Sequence, residues 1–389
     1  MGKIFETIIS RFDGGMVNDP RDPTLNVCQL SKHFDNFTKR YALTPYKDSE
    51  DIIAATQLVN GLQSFLMYGG NMFALGTKSQ DLGYAYILRN TAINTGDGWG
   101  QPTNGEDSAG STRFNLFIEY KGILYGYDTA IWSYNIGTTT FDGAAQALTA
   151  TSITQGLIHS KNDILYIVYS TATNAYVMRK NGAAAFETTA LTLPIGFMPT
   201  HSSEDGNYLA INGIMPNGKF MTYFWDMSAT SWEDSKTIEW GEGTYVSSYN
   251  PHNFIMEKLD GYLVSVSVEG SENPKLVFRK SYGELQQKFR EIPIDSAQAG
   301  AIVGGQKYNN RLFFGLNAAS PDNATDDYTG IWSVGRNEDG VFTVNFDRLP
   351  NNDTIPDSVK GFIIVQDYVY ISHLTGATYS LSKTNDQAS

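Results

Sequence analysis

The pattern of apolar and polar residues repeats along the chain. Short runs rich in β-branched and aromatic residues alternate with polar side chains, which is typical of β-strands, and pairs of runs are separated by turns of Gly, Asn or Asp. Seven such turns recur at intervals of 40 to 57 residues. They lie in GGNMFALG at 69, YKGILYGYD at 120, SKNDILYIVY at 160, EDGNYLAING at 204, LDGYLVSVS at 259, YNNRLFFGLN at 308 and VQDYVYISH at 365.

The second half of the repeat also recurs, as in AIWSYNIGTTTF at 130, MTYFWDMSATSW at 221 and GIWSVGRNEDGVF at 330. Each unit therefore predicts four antiparallel strands. A unit of this kind has two apolar faces to bury, and radial stacking against copies of itself buries both. We predict an all-β fold, a seven-bladed β-propeller. A pair of β-sandwiches is the alternative, but the repeat length is near that of propeller blades and no linker divides the chain.

The last unit tests the ring, because it predicts only three strands before the polar tail. A closed propeller needs a fourth strand, since an open sheet edge promotes aggregation. KRYALTPYKD, residues 39–48, is the only strand-like stretch outside the seven units. We predict that it completes the final blade by N-to-C closure, so that residues 1–38 form an extended N-terminal arm and residues 39–389 form the propeller.

Charge and cysteine content limit the partners and the compartment. The net charge is -13, and residues 1–50 carry seven basic and seven acidic side chains, so the excess of acid lies in the remainder. An acidic body repels phosphate, which argues against specific nucleic-acid binding, although DNA could pass nearby. The single cysteine, Cys28, excludes an intrachain disulfide, and the sequence shows neither a secretion signal nor a membrane span.

Candidate catalytic groups are scattered. The five histidines lie in different units without a metal-binding spacing, and His159 and His201 are expected on adjacent inner strands as solvent-facing or hydrogen-bonded residues rather than ligands. Acids in turns could form a glycosidase pair only if the fold brought them together. These acids are Asp128, Glu204, Asp205 and Asp226. We predict no enzymatic activity, no cofactor and no metal site.

The arm contains the stretch RFDGGMVNDPRDP at residues 11–23, where the glycine pair and the prolines favour extended and turn conformations. It resembles the start of tail nozzle proteins and related tail-associated propeller proteins of bacteriophages, in which a similar Gly-Gly stretch precedes a β-propeller. The matching residues are Phe12, Gly14, Gly15, Met16 and Pro20.

The resemblance implies a non-enzymatic structural component of a phage virion. Such a protein is assembled in the host cytoplasm, forms a homo-oligomer within a ring, and contacts other virion proteins through the arm residues that match. A carbohydrate- or protein-binding propeller that recognises a host-surface ligand is the first alternative, with Trp99 and Tyr328 in long loops as candidate contacts. A glycoside hydrolase or lyase is the second.

Overall fold

The structure, a computed structural model, describes separate stretches that cover most of the repeated units. These are residues 34–35, 44–45, 49–53, 62–69, 71–77, 85–90, 99–100, 116–127, 130–135, 140–242, 254–267, 275–280, 288–293, 301–317, 330–336, 340–347, 358–365, 368–375 and 378–384. Within them the regular structure is almost entirely β-strand, with one turn of 3-10 helix at Asp234–Lys236. No helix in these stretches has the length and apolar character needed to cross a membrane.

The described strands form seven antiparallel sheets and one two-stranded pair, β1 with β2. Three strands precede the first sheet: β1 (Phe34–Asp35), β2 (Thr44–Pro45) and β3 (Ser49–Ile53). Sheet 1 contains β4 (Leu62–Tyr68), β5 (Asn71–Thr77), β6 (Ala85–Asn90) and β7 (Trp99–Gly100). Sheet 2 contains β8 (Leu116–Tyr120), β9 (Ile123–Tyr127), β10 (Ala130–Asn135) and β11 (Thr140–Ala147).

The next two sheets are the ones described without a gap. Sheet 3 contains β12 (Ser152–Ile153), β13 (Leu157–His159), β14 (Ile164–Ser170), β15 (Ala175–Lys180) and β16 (Glu187–Leu193). Sheet 4 contains β17 (Met198–Asp205), β18 (Tyr208–Ile214), β19 (Lys219–Trp225) and β20 (Ile238–Glu242). In sheet 3 the first strand is split, because β12 and β13 both pair with β14.

The remaining sheets repeat the same order. Sheet 5 contains β21 (Phe254–Leu259), β22 (Tyr262–Ser267), β23 (Lys275–Lys280) and β24 (Lys288–Pro293). Sheet 6 contains β25 (Ala301–Tyr308), β26 (Arg311–Asn317), β27 (Gly330–Arg336) and β28 (Phe342–Asp347). Sheet 7 contains β29 (Ser358–Val365), β30 (Tyr368–Thr375) and β31 (Thr378–Thr384), with β3 as its fourth strand.

The apolar core lies in layers between consecutive sheets. One layer joins Val264 of sheet 5 to Leu312 and Phe314 of sheet 6. The opposite face of β26 carries Phe313, which packs with Val359 and Ile364 of sheet 7. Strand side chains alternate between the two faces of a sheet, so a strand covered on both faces is apolar at nearly every position.

The first strands contact one another from sheet to sheet: β4 contacts β8, β17 contacts β21, β21 contacts β25, β25 contacts β29, and β29 contacts β4. Innermost strands that meet in this way, with a core layer between each consecutive pair from sheet 1 to sheet 7, define a β-propeller arrangement. The prediction of an all-β propeller is confirmed. The predicted hairpin turns are confirmed wherever the structure describes both residues of the turn, as at Lys121–Gly122 and Asp260–Gly261.

The position of the closing strand differs from the prediction. β31 pairs with β3, Ser49–Ile53, and not with residues 39–48. Within that predicted stretch, Thr44 and Pro45 pair instead with Asp35 and Phe34. Proline has no N–H to donate to a strand ladder, so a stretch that contains Pro45 is a poorer sheet strand than SEDII. The division between arm and propeller at residue 38 remains a prediction.

Candidate functional site

The turns between the first and second strands form the most constrained feature of the described residues. Because the first strand of each sheet is the innermost, these turns lie together around one end of the ring axis. We call them the inner turns. Those with positive φ angles are Lys121 (51°), Gly122 (75°), Asp163 (54°), Gly206 (61°), Asp260 (47°), Gly261 (79°), Asn309 (43°) and Asn310 (57°), together with Gly69 (56°).

The inner turns adopt this geometry because two-residue hairpins need it. A type I′ turn places both central residues at positive φ, and its twist matches that of the flanking strands. Lys121–Gly122, Asp260–Gly261 and Asn309–Asn310 all have this form. Lysine and aspartate enter the left-handed region at a cost of about 1 to 2 kcal/mol, so the surrounding contacts must hold them there.

Tyrosine hydroxyls supply the first of these contacts. The Tyr68 hydroxyl of sheet 1 donates to the Gly122 carbonyl of sheet 2 over 2.8 Å. Tyr120 of sheet 2 donates to the Asp163 carbonyl over 3.0 Å and accepts from the Gly182 amide over 2.8 Å. A single buried hydroxyl therefore joins two turns of sheet 3, and Lys121 also forms an ion pair with Asp163.

Between sheets 3 and 4 the contact is made by a histidine. His159 is fully buried, and its Nδ1 accepts from the Lys161 amide at 3.2 Å. The proton is therefore on Nε2, which donates to the Tyr208 carbonyl at 3.1 Å. Beside it, the Ser160 amide and hydroxyl each donate to the Glu204 carboxylate at 2.6 Å.

An ion pair and a histidine–carboxylate contact join sheets 4 and 5. Lys258 donates to Asp205 at 2.5 Å, and Asp205 is buried. His201 Nε2 lies 2.8 Å from the Glu257 carboxylate, and both side chains are largely buried. Removal of one partner from a buried pair leaves an uncompensated polar group, so these pairs fix the relative position of the two sheets.

Sheets 5, 6 and 7 are joined by amide side chains. Asn310 donates to Asp260 across the inner turns of sheets 5 and 6. The Gln306 side chain donates to the Ile364 carbonyl at 3.2 Å and accepts from its amide at 2.9 Å. Asn317 makes the same pair of bonds to Val359, at 2.9 and 2.6 Å. The Gln306 and Asn317 side chains thus each satisfy the backbone N–H and C=O groups of one residue of β29.

A second tyrosine of sheet 2 holds the split first strand of sheet 3. Tyr127 is fully buried, and its hydroxyl accepts from the Gly156 amide at 2.6 Å and donates to the Thr154 carbonyl at 3.3 Å. An added Cβ at Gly156 would lie 2.8 Å from Ile118 Cδ1, so the Ile118 side chain would have to move to admit it. The bulge between β12 and β13 is therefore fitted to sheet 2.

Burial also perturbs two side chains of this region. Burial lowers the pKa of Lys180, whose Nζ donates to the Ala184 carbonyl at 2.7 Å and lies 4.8 Å from the centre of the Phe186 ring. Burial raises the pKa of Tyr125, and the neighbouring Tyr120 raises it further. Contact with an aromatic ring favours the charged amine and partly offsets its loss of hydration.

The structure does not gather the predicted acids into one catalytic pair. Glu204 bonds to Ser160, Asp205 pairs with Lys258, and Asp226 accepts from the Ser228 hydroxyl at 3.0 Å. Asp128 lies outside the described residues. His159 and His201 lie on the first strands of adjacent sheets and are hydrogen-bonded to different partners. Of the two predicted alternatives, the solvent-facing one is wrong for His159, which is fully buried. In the described stretches no three His, Cys, Asp or Glu side chains are grouped to hold a metal ion.

The other predicted contacts have varied outcomes. Trp99 was predicted in a loop, but it begins β7 and pairs with Asn90, because the strand pattern of sheet 1 continues to a short fourth strand. Tyr328 and the arm residues Phe12, Gly14, Gly15, Met16 and Pro20 lie outside the described residues. Sequence reasoning missed the hydroxyl contacts between sheets. Their signal is a tyrosine immediately before the inner turn, as in Tyr68 and Tyr120.

Comparison with known proteins agrees with the fold. No family model matches the sequence, and no curated protein sequence matches it. Among solved structures, YCF48 from Cyanidioschyzon merolae is similar at a TM-score of 0.51 and 12% identity, over 86% of this chain and 98% of that one. BBS1N in complex with ARL6DN is similar at a TM-score of 0.51 and 9% identity, over 87% and 96%. At these identities the likeness shows a shared propeller fold and nothing of function.

Proposed function

We propose that the seven sheets are the blades of one closed ring and that the protein is a non-enzymatic structural scaffold, specifically a tail-associated component of a bacteriophage virion. The ring is supported by first-strand contacts between most neighbouring sheets, including β29 with β4, and by the apolar core layer that joins sheets 2 and 3. Closure is supported by the pairing of β3 with β31, which joins the beginning of the described chain to its end.

One observation carries the scaffold role: β3, the strand that follows the arm in sequence, is the outermost strand of its sheet, while the inner turns are hydrogen-bonded from sheet to sheet. In sheet 7 the order is β29, β30, β31 and β3, so β3 is the strand farthest from the ring axis. The chain that precedes β3 therefore enters the propeller at its perimeter. A segment anchored there can reach a neighbouring subunit without opening any blade.

The inner turns support the same role. Histidine, carboxylate, amide and hydroxyl groups that would serve as catalytic groups in an enzyme instead connect one sheet to the next. Such bonds fix a rigid surface, and rigid surfaces lose little conformational entropy on binding. The similar BBS1N propeller was solved in complex with ARL6DN, so a propeller of this type can serve as a platform for a protein partner.

The experiment that tests the proposal is assembly with virion particles. Full-length protein and a variant lacking residues 1–36 are each mixed with assembling phage particles, and particle-associated protein is measured after sedimentation. The deleted variant is expected to keep its circular dichroism spectrum and to lose association with particles. Ile195→Ala removes an apolar side chain that is 76% exposed on the propeller, and as a matched control it should leave association unchanged.

Two results would contradict the proposal. If the full-length protein stays monomeric and never associates with particles, the virion role is wrong. If the deleted variant associates as well as the full-length protein, the arm is not the docking segment.

A further inference from the structure

The core layer between sheets 4 and 5 contains polar side chains among its apolar ones. Asn212 and Thr222 lie opposite each other on β18 and β19, and both are completely buried. On β18, Asn212 lies between Ala210 and Ile214, which belong to this layer. Because side chains two positions apart lie on the same face of a strand, Asn212 also faces sheet 5.

The direction of the hydrogen bonds leaves the Asn212 side chain with two unused donors. Trp240 Nε1 can only donate, and it donates to the Thr222 hydroxyl at 2.8 Å. That hydroxyl donates its own hydrogen to Asn212 Oδ1 at 2.6 Å. The side-chain nitrogen of Asn212, which carries two N–H groups, is buried without a hydrogen-bond partner among the described residues. A buried amide is costly in this state unless it binds a hydrogen-bond acceptor.

A serine of sheet 5 is also buried without a partner. Ser265 of β22 lies opposite Met256 of β21, and Met256 belongs to the layer between sheets 4 and 5. Directly opposite residues of paired strands lie on the same face, so the Ser265 side chain faces sheet 4. Ser265 is completely buried, and its hydroxyl has no hydrogen-bond partner in the part of the chain that the structure describes.

The contacts of Met256 fix the height of Ser265 in this layer. On β18, Ala210 comes two positions before Asn212, and its partner on β17 is Ser203. The Ser203 hydroxyl donates to Met256 Sδ at 3.8 Å, so Ala210 and Met256 lie at about the same height. Ser265, the partner of Met256, lies there too.

Two stacked phenylalanines fix the next height. Phe220, the partner of Ile214, stacks on Phe254 with ring centroids 5.1 Å apart. Asn212 comes between Ala210 and Ile214 on the same face of β18, so its amide lies between the two heights. The amide therefore faces the part of sheet 5 that carries the buried serine hydroxyl.

We propose that the Asn212 amide and the Ser265 hydroxyl bind one internal water molecule, which joins sheets 4 and 5. Packed sheets lie about 10 Å apart, and asparagine and serine are too short to fill that distance between them. Water fits because it accepts from an N–H group and donates to the hydroxyl oxygen at the same time. N–H groups repel cations, and an ion of either sign is costly in a mostly apolar layer. The site is independent of the proposed role in a virion.

Diffraction from crystals of the full-length protein tests the site without any substitution. We expect an electron-density peak for one water at about 2.7 to 3.2 Å from both Asn212 Nδ2 and Ser265 Oγ. A direct hydrogen bond between these two atoms would overturn the proposal. So would other side chains packed between them, or an ion in place of the water.

Magnetic relaxation dispersion of water oxygen tests the site in solution, because it counts internal waters with long residence times. Asn212→Leu keeps a branched side chain and removes the donors, so the count should fall by one. Ser203→Ala is the matched control, since Ser203 is buried in the same layer but donates to Met256. It should leave the count unchanged. An equal count in the wild type and Asn212→Leu would overturn the site, and a water lost from Ser203→Ala would overturn its assignment to these two groups.

Ser265→Ala gives a milder test if Asn212→Leu folds poorly, as judged by circular dichroism. It removes only the second partner of the water. The residence time of that water should fall by about tenfold, the effect expected for the loss of one hydrogen bond. An unchanged residence time would show that the hydroxyl does not bind the water and would overturn the bridge between the two sheets.

Discussion

Replacement of Tyr127 by phenylalanine tests whether the contacts between sheets stabilise the ring. The change removes one oxygen and keeps a ring that is fully buried. It leaves the Gly156 amide and the Thr154 carbonyl without the hydroxyl that joins them. A buried polar group left without a partner costs about 1 to 3 kcal/mol, so we expect a loss of roughly 2 to 3 kcal/mol in the free energy of unfolding.

The expected change in melting temperature is small but measurable. For a chain of 389 residues the unfolding entropy is about 0.8 kcal/mol/K, so this loss lowers the midpoint by roughly 3 °C. Urea unfolding followed by tryptophan fluorescence measures the free energy, and calorimetry measures the midpoint. Tyr125→Phe is the matched control, because Tyr125 is 3% exposed in the same strand and its hydroxyl does not contact the bulge. It should cost less than about 0.5 kcal/mol.

Equal stability of Tyr127→Phe and Tyr125→Phe would refute the reasoning. It would mean that Gly156 and Thr154 find other partners and that the bulge does not depend on sheet 2. A loss much larger than predicted would instead indicate that the split strand β12 and β13 unfolds when the hydroxyl is removed. Amide exchange at residues 152–159 would distinguish this outcome from a simple loss of hydrogen bonds.

Three further predictions concern backbone fit and titration. Gly213→Ala should prevent stable folding, because the added Cβ would lie 2.3 Å from the Met198 carbonyl oxygen. Gly206→Ala is the comparison, since no atom lies within 4 Å of its added Cβ and only its φ of 61° is unfavourable. It should lower the free energy of unfolding by only about 1 to 2 kcal/mol, measured by thermal melting. Burial lowers the pKa of Lys180 from 10.5, so the native chain binds this proton less tightly than the unfolded chain does. The free energy of unfolding of the wild type, relative to that of Lys180→Met, should therefore rise as the pH increases toward 10.5, and urea titrations at several pH values measure it. Burial raises the pKa of Tyr166 from 10.0, so the stability that this group contributes is complete below that pH and is lost above it. Because the chain has 23 tyrosines, the readout is the tyrosinate absorbance of the wild type minus that of Tyr166→Phe, and a rise in this difference before the native circular dichroism is lost would contradict the prediction.

Local features were the easiest to predict from the sequence. Gly122 and Gly261 mark hairpins because a tight turn with positive φ depends on the two residues that form it. The repeat of these turns then predicts the propeller, since each unit buries two faces only by stacking on its neighbours.

Longer-range features could not be read in the same way. The closing strand was predicted at residues 39–48 because this is the only strand-like stretch outside the seven units. The five residues Ser49–Ile53 are identified as the closing strand only by their pairing with β31. The split between β12 and β13 depends on Tyr127, which is donated by another sheet. The buried pairs His201–Glu257 and Asp205–Lys258 join residues more than 50 positions apart, a separation that hydrophobic periodicity does not encode.

Closure of the ring by β3 also imposes an order on synthesis. Ser49–Ile53 leaves the ribosome well before its partner Thr378–Thr384, which is made roughly 325 residues later. At about 5 to 20 residues per second the interval is roughly 15 to 65 seconds. During that time the nascent propeller lacks its last blade, and the early strand has no native partner. The step most exposed to misassembly is therefore the pairing of β3 with β31, because β3 must remain unpaired until β31 has been synthesised.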